Sequence, residues 1–168
     1  VHSAQVIDIR TELTASRLRI VIFVFNNLST CLSTMNRTHL EGAAEKLTAQ
    51  RGYTFYTGPE DDMGHTVRNY PAAWLAPPEL HAVEGRTHGR ATYDMTLHLL
   101  RPGARISPAE RRTALAEMEA QMIEIFAELS LDERILAVEG LSVRPRSFSL
   151  TPHGEISQTA TARIVTWF

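Results

Sequence analysis

The chain has 168 residues, 43% of them hydrophobic and 21% charged, with a formal charge of −2. That length carries one domain with a full core, and that balance is the composition of an ordinary globular protein. The near-neutral charge argues against a nucleic-acid grip built on a broad basic surface, and the single cysteine, Cys31, excludes a disulfide within the chain. With no evident base near it in sequence, Cys31 reads as an inert thiol rather than a nucleophile.

Residues 1–34 read differently from the rest. Leu18 to Phe25 is a strongly apolar run behind Arg17 and Arg19. It is too short for the ~20 residues a membrane helix needs. Asn26 and Asn27 cut it where a signal peptide would continue apolar. Leu28-Ser29-Thr30-Cys31 faintly echoes a lipoprotein cleavage site, but threonine before the cysteine fits it poorly. The plainer expectation is that Met35 is the natural start, with residues 1–34 an upstream extension and 35–168 a single domain.

Thr38 to Gln50 is predicted helical. Leu40, Ala43, Ala44 and Leu47 form a narrow apolar face, Glu41 stands three residues after Thr38 as in a capping box, and Gly52 closes the segment. Tyr53 to Thr57 is a short aromatic strand. Gly58 to Gly64 is a polar loop holding Glu60, Asp61 and Asp62, with His65 close by. A divalent ion wants converging ligands, which an unconstrained acidic loop does not enforce, so it reads as a solvated loop.

Tyr70 to Pro78 is an apolar strand bracketed by prolines, which mark strand ends and sheet edges because they lack an amide hydrogen. Trp74 within it reads as core. Glu79 to Glu84 continues extended, and Gly85 and Gly89 are placed to turn a hairpin. The return strand is plain: Ala91, Tyr93, Met95, Leu97 and Leu99 alternate with Thr92, Asp94, Thr96 and His98. One face is core and one is polar, so His98 is expected in solvent. Arg101-Pro102-Gly103 breaks the strand.

Ser107 to Leu129 is the most legible stretch. Ser107 caps, Pro108 presets the first helical φ and Glu110 completes a capping box. Leu115, Met118, Met122, Ile125 and Leu129 follow at steps of three and four, on one helix face. Ile123 and Phe126 are expected to widen that stripe. The opposite face carries Arg111, Arg112, Glu117, Glu119, Glu124 and Glu128. Such a helix must bury its stripe, and its sequence neighbours look like strands, so a helix lying across a sheet is expected.

After the helix, Leu131 to Leu136 reads as a loop or short turn. Val138 to Leu150 reads as a strand whose apolar parity changes around Pro145, which predicts a bulge or kink there. Thr151 to Gly154 is a turn, and His153 with Glu155 reads as turn chemistry rather than an acid–base couple. The last strand puts Ile156, Ala160, Ala162, Ile164 and Phe168 on one face. Its other face turns apolar at Val165 and Trp167, which predicts cover on both sides, by the helix and by a neighbouring subunit. The fold class is therefore α+β, a mainly antiparallel sheet packed against a long helix with a second, shorter N-terminal helix. Nucleophile elbow, zinc-protease, phosphate-loop and dinucleotide motifs are all absent from the sequence. The sequence supplies no catalytic residue, cofactor or metal ligand set.

From Met35 to the C-terminus the chain resembles the tail-terminator and tail-completion proteins of long-tailed phages and prophages. The likeness is carried by Tyr70 to Pro78, Glu84-Gly85-Arg86, Tyr93 to Leu97, the long helix, and the Leu150 to Glu155 turn with its final strand. It is a likeness of layout and local sequence. It implies a non-enzymatic subunit that forms a homo-oligomeric ring, commonly a hexamer. Such a ring ends the tail tube and joins it to the head connector, in the host cytoplasm during assembly and then in the virion tail. Its partners would be itself, the tube protein and the connector protein, without nucleic-acid sequence recognition and without a membrane. A ring uses two unlike surfaces. Those expected are Arg86, His88 and Arg90 at the hairpin tip and Glu117, Glu124 and Glu128 on the helix, with Val165 and Trp167 supplying apolar burial. Alternative expectations are another head–tail or baseplate part, or a small metal-dependent hydrolase using Glu60, Asp61, Asp62 and His65.

Overall fold

The computed structural model describes residues 36–85 and 89–167. Residues 1–34, Arg86, His88 and Phe168 lie outside that set, and so do the expectations that fall on them. The observed class is α+β, with six strands and three helices among the described residues. Helix α1 covers 36–50, followed by strand β1 (Thr54–Thr57), a single 3-10 turn (Glu60–Asp62) and short helix α2 (Met63–Thr66). Then come β2 (Ala72–Leu75), β3 (Glu79–Glu84), β4 (Arg90–Arg101), helix α3 (Pro108–Leu129), β5 (Ile135–Pro145) and β6 (Ile156–Trp167).

The sheet runs β1-β2-β4-β6-β5, with β3 also on β4. β4 and β6 pair antiparallel along their whole length, from Arg90↔Trp167 to Arg101↔Ile156. The other edge of β4 is shared: β3 takes its first half and β2 its second. Only β1 and β2 run parallel, an arrangement that requires the crossover through the 3-10 turn and α2.

Strand period sets the two faces of this sheet. Tyr93, Met95, Leu97 and Leu99 of β4 and Ala160, Ala162 and Ile164 of β6 are buried in one cluster with Met118, Met122, Ile125, Phe126 and Leu129 of α3. Leu40 and Ala44 of α1 complete the cluster. Each large side chain so buried contributes about 1.5–3 kcal/mol. The capping box is present: the Glu110 amide donates to the Ser107 hydroxyl at 3.3 Å, and the Ser107 amide donates to the Glu110 carboxylate at 2.7 Å. α1 ends in a Schellman motif, with Gly52 at φ +80° and amides of Gly52 and Tyr53 donating back to the carbonyls of Ala49 and Thr48.

Arg101, at the end of β4, ties the layers at their polar margin. Its guanidinium donates to Tyr53 Oη (3.1 Å), Glu117 Oε2 (2.8 Å) and Gln121 Oε1 (3.0 Å). The second sheet face is covered over part of its area by a smaller cluster of Met63, Val67, Ala72, Trp74 and Leu100. Trp74 Nε1 donates to the Gly58 carbonyl at 3.0 Å, so the indole satisfies its one polar atom while fully buried.

Several expectations fail on local grounds. Thr38 is not a cap, because the helix already runs at residue 36. Glu60 to Thr66 is helical rather than a loop, since burying Met63 and Val67 against Trp74 orders the segment. Ile123 does not widen the core stripe; it is 48% exposed, on the far side of α3. β5 begins at Ile135, inside the segment expected to be a turn, and stops at Pro145 instead of continuing to Leu150. Its register shifts fall between Ile135 and Ala137 and between Glu139 and Ser142, the second around Gly140 at φ +62°, so the kink is not at Pro145. A positive φ is the conformation that only glycine adopts cheaply, and here it was a stronger bulge signal than the change of parity.

Two stability outcomes follow from α3. Ser107→Ala should cost ~1 kcal/mol in chemical denaturation, the loss typical of removing an N-cap. Ile125→Asp should prevent folding, because it puts an unpartnered carboxylate in the apolar cluster, whereas Ile123→Asp should fold. A folded, cooperative Ile125→Asp protein would mean that the buried side of α3 is misassigned.

Candidate functional site

The polar face of β4 is where the sequence reading and the structure part most sharply. His98 is not in solvent; its side chain is 0% exposed. The residue sits opposite Trp74 on one neighbouring strand and Thr159 on the other. Its Nδ1 lies 2.8 Å from Thr159 Oγ1 and its Nε2 lies 3.0 Å from Glu60 Oε1. The Nε of Arg146 donates to the same Thr159 hydroxyl at 3.0 Å.

The polarity of this chain follows from its ends. An ionised Glu60 only accepts, so His98 Nε2 carries the proton. His98 Nδ1 then accepts from the Thr159 hydroxyl, whose oxygen in turn accepts from Arg146. Burial pushes the His98 pKa down, the Glu60 carboxylate offsets part of this, and the positive Arg146 adds to the lowering. The net direction is downward, which keeps the ring neutral near pH 7.

Glu, His and hydroxyl stand here in the order of a hydrolytic triad. The hydroxyl is already engaged on both sides, by Arg146 and by His98, and Thr159 is buried. As placed, the chain is suited to cross-bracing three elements: the 3-10 turn through Glu60, β4 through His98 and β6 through Thr159. The remaining acidic-loop residues, Asp61, Asp62 and His65, are exposed. Among the described residues no group of three or more His, Cys, Asp or Glu side chains converges to hold a metal ion.

Glu155 makes the second buried polar centre. Its carboxylate accepts from the amides of Leu150 and Thr151 and from the Thr151 hydroxyl, and Tyr70 Oη lies 2.8 Å from that same hydroxyl. The Thr151 to Gly154 turn is thereby pinned against the start of β2.

The expected interface residues separate into two groups. Arg90 and Trp167 are direct register partners, and Val165 lies two residues before Trp167 on the same strand face. They stand on the sheet face opposite α3, where Val165 is buried and Trp167 is 48% exposed. The acidic group is on α3 and is engaged within the chain. Glu117 meets Arg101 at 2.8 Å, while Glu128 and Glu124 meet Arg51 at 2.7 and 3.7 Å. Cover over β6 is therefore incomplete on the far side: α3 packs on one face, and Trp167 protrudes from the other.

A third feature escaped the sequence reading. Ser142 and Arg144 of β5 stand opposite Thr161 and Thr159 of β6, and Arg146 continues the same strand parity. With Ser147 and Phe148 they line a cleft of about 480 Å³ on the face away from α3. The signal available was the run Ser142-Val143-Arg144-Pro145-Arg146, which places three polar side chains at a spacing of two.

Among the described residues no helix is long and apolar enough to cross a membrane. Compared with known proteins, the chain matches no family model and no curated sequence. The fold and the polar centres define an α+β protein with a mixed sheet, cross-braced through His98 and, among the described residues, uncovered at one end of its second face.

The pH dependence of stability tests the His98 brace. In the unfolded chain His98 titrates near 6.5, and in the folded chain lower. Between the two values the unfolded state binds more protons, so this contribution is present above about pH 6.5 and is lost as the pH falls from there toward the folded value. His98→Gln should be less stable at pH 8 by ~1–3 kcal/mol, because the Thr159 hydroxyl loses its buried acceptor. It should also lose less stability than the parent between pH 7 and 5 in urea denaturation. Equal slopes for both proteins would assign the acid sensitivity to other groups.

Proposed function

We propose that this chain is a structural subunit of a phage or prophage tail, assembling with copies of itself into a closed ring that ends the tail tube and joins it to the head connector. Assembly would take place in the host cytoplasm, and the ring would remain in the virion tail. The observation that carries the reading is Trp167. It is a large aromatic, 48% exposed, at the uncovered end of a strand that is otherwise mostly buried. Arg90 stands beside it. An aromatic with an adjacent guanidinium is the composition of an interface anchor.

Two further features support it. The order helix, sheet strands, long helix and closing strand pair is the layout of the family that the sequence resembles. The Trp167 surface and the acidic side of α3 lie on opposite faces of the sheet, so a head-to-tail contact between copies joins unlike surfaces, as a ring requires. The buried His98 and Glu155 centres fit the same reading as internal braces. They leave the outer surface to do the binding.

The acidic side of α3 enters with its charge partly spent. Arg51 and Arg101 already pair with Glu117, Glu124 and Glu128. Exposed charge pairs contribute only ~0–1 kcal/mol each, so charge would set orientation while apolar burial at Trp167 and Val165 supplies affinity.

Sedimentation velocity is the direct test. The parent should sediment as a discrete oligomer several times the 18.8 kDa chain mass. Trp167→Ser should dissociate at least about tenfold more readily, since losing one anchor costs at least ~1.4 kcal/mol, with an unchanged circular dichroism spectrum. Arg86→Glu with Arg90→Glu should weaken assembly most at low salt. A parent that stays monomeric up to high micromolar concentration would overturn the ring.

A further inference from the structure

The cleft between the ends of β5 and β6 has a chemistry that the proposed ring does not use, and it shares with the brace only the Thr159 hydroxyl and the inner nitrogen of Arg146. Register places Ser142 opposite Thr161 and Arg144 opposite Thr159, all on the face away from α3. Beyond Pro145 the chain stays attached to β6, because the Arg146 amide donates to the Ser157 carbonyl at 3.0 Å. The two guanidiniums are thus carried by one continuous stretch of backbone on the same side of the strand.

Both arginines are held by their inner nitrogen. Arg144 Nε donates to Ser142 Oγ at 3.2 Å, and Arg146 Nε donates to Thr159 Oγ1 at 3.0 Å. Arg146 is further steadied over the Phe148 ring, 5.9 Å from its centroid. In each case the terminal nitrogens, the pair that grips an oxyanion bidentately, remain without a carboxylate among the described residues. The nearest acidic group in the network, Glu60, is on the far side of the His98 ring. Two positioned cations, the hydroxyls of Ser147 and Thr161 and no carboxylate in the lining make a surface selective for anions.

We infer that this cleft binds a phosphate-type oxyanion, gripped by the terminal nitrogens of Arg144 and Arg146 and completed by the Ser147 and Thr161 hydroxyls. A tetrahedral oxyanion offers acceptors in several directions, which two forked donors and flanking hydroxyls match, while a halide offers no directional acceptors. The volume of about 480 Å³ exceeds what one phosphate fills, and Phe148 at the rim is 60% exposed. The phosphate therefore arrives either free or as the monoester of a planar group that stacks on Phe148. The inference does not depend on ring formation.

Isothermal titration of the full chain with inorganic phosphate, and separately with adenosine monophosphate, tests it against chloride at equal ionic strength. Phosphate should bind saturably with one site per chain, where chloride produces no saturable heat. Arg144→Gln, at an exposed strand position, should fold as the parent does and weaken phosphate about tenfold, the loss expected for one charge-assisted grip. Arg146→Gln should weaken it at least as much. Arg163→Gln, an exposed arginine elsewhere on the same sheet face, should bind as the parent does. Phe148→Ala separates the two sources: because Arg146 rests on this ring, both ligands should weaken slightly, but the nucleotide should weaken more than phosphate if a planar ester is the ligand, and both by the same factor if free phosphate is. Parent-like phosphate affinity in Arg144→Gln, or a phosphate response matched by chloride, would overturn the site.

Discussion

The structure depends on the burial of one helix face against one strand pair. β4 and β6 are each 12 residues long and are paired from end to end, and α3 lies across them with Met118, Met122, Ile125, Phe126 and Leu129 inward. Most of the stability of a helix in a protein comes from packing its apolar face, and an isolated strand pair is at best marginally stable in water. Each becomes stable by covering the other. The remaining elements are placed relative to this unit: α1 extends the helical layer, β5 extends the sheet beyond β6, and β2 and β3 divide the free edge of β4 between them.

That division of the β4 edge has a consequence for the second face. Where β2 takes over from β3, Ala72, Trp74 and Leu100 stand on the side away from α3, and the segment from Glu60 to Val67 folds down over them. His98 shares that side and is enclosed with the indole. A neutral imidazole tolerates such burial when both nitrogens are partnered, and Thr159 and Glu60 provide the two partners. Nearer the hairpin no described residues give the same face comparable cover, and there Thr92, Asp94 and Thr96 are half-buried and Trp167 is exposed. One sheet face therefore changes from core to surface along its length.

This change explains what could be read from the sequence and what could not. The α3 cap, its buried stripe and the alternation of β4 are local patterns with periods of 3.6 and 2, and they were legible residue by residue. The position of His98 was not. Period two correctly put it on the face opposite Tyr93 and Leu97, but whether that face is wet depends on a segment about forty residues earlier in the chain. The acidic loop was misread for the same reason: Met63 and Val67 look unremarkable among polar neighbours until Trp74 is known to lie beneath them. The anion cleft needed the β5–β6 register, which the bulge around Gly140 shifts and which parity alone does not assign; parity put the bulge near Pro145 instead.

The distribution of charge adds a final constraint. On α3 the glutamates face Arg51, from the end of α1, and Arg101, from the end of β4, so the acidic side of the helix is in part an intramolecular seam. On the opposite side of the sheet Arg144 and Arg146 have no such partners among the described residues, and their inner nitrogens are committed to hydroxyls instead. A hydroxyl fixes the direction of a guanidinium without cancelling its charge, whereas a carboxylate does both. The chain thus uses the same residue type in two ways: neutralised where layers of its own fold must be joined, and oriented but uncancelled where a charge is presented outward. With a formal net charge of only −2, the molecule has no broad field to attract a ligand from a distance. Recognition on the β5–β6 side then rests on short-range geometry, on the fork of two arginines held in place before any ligand arrives.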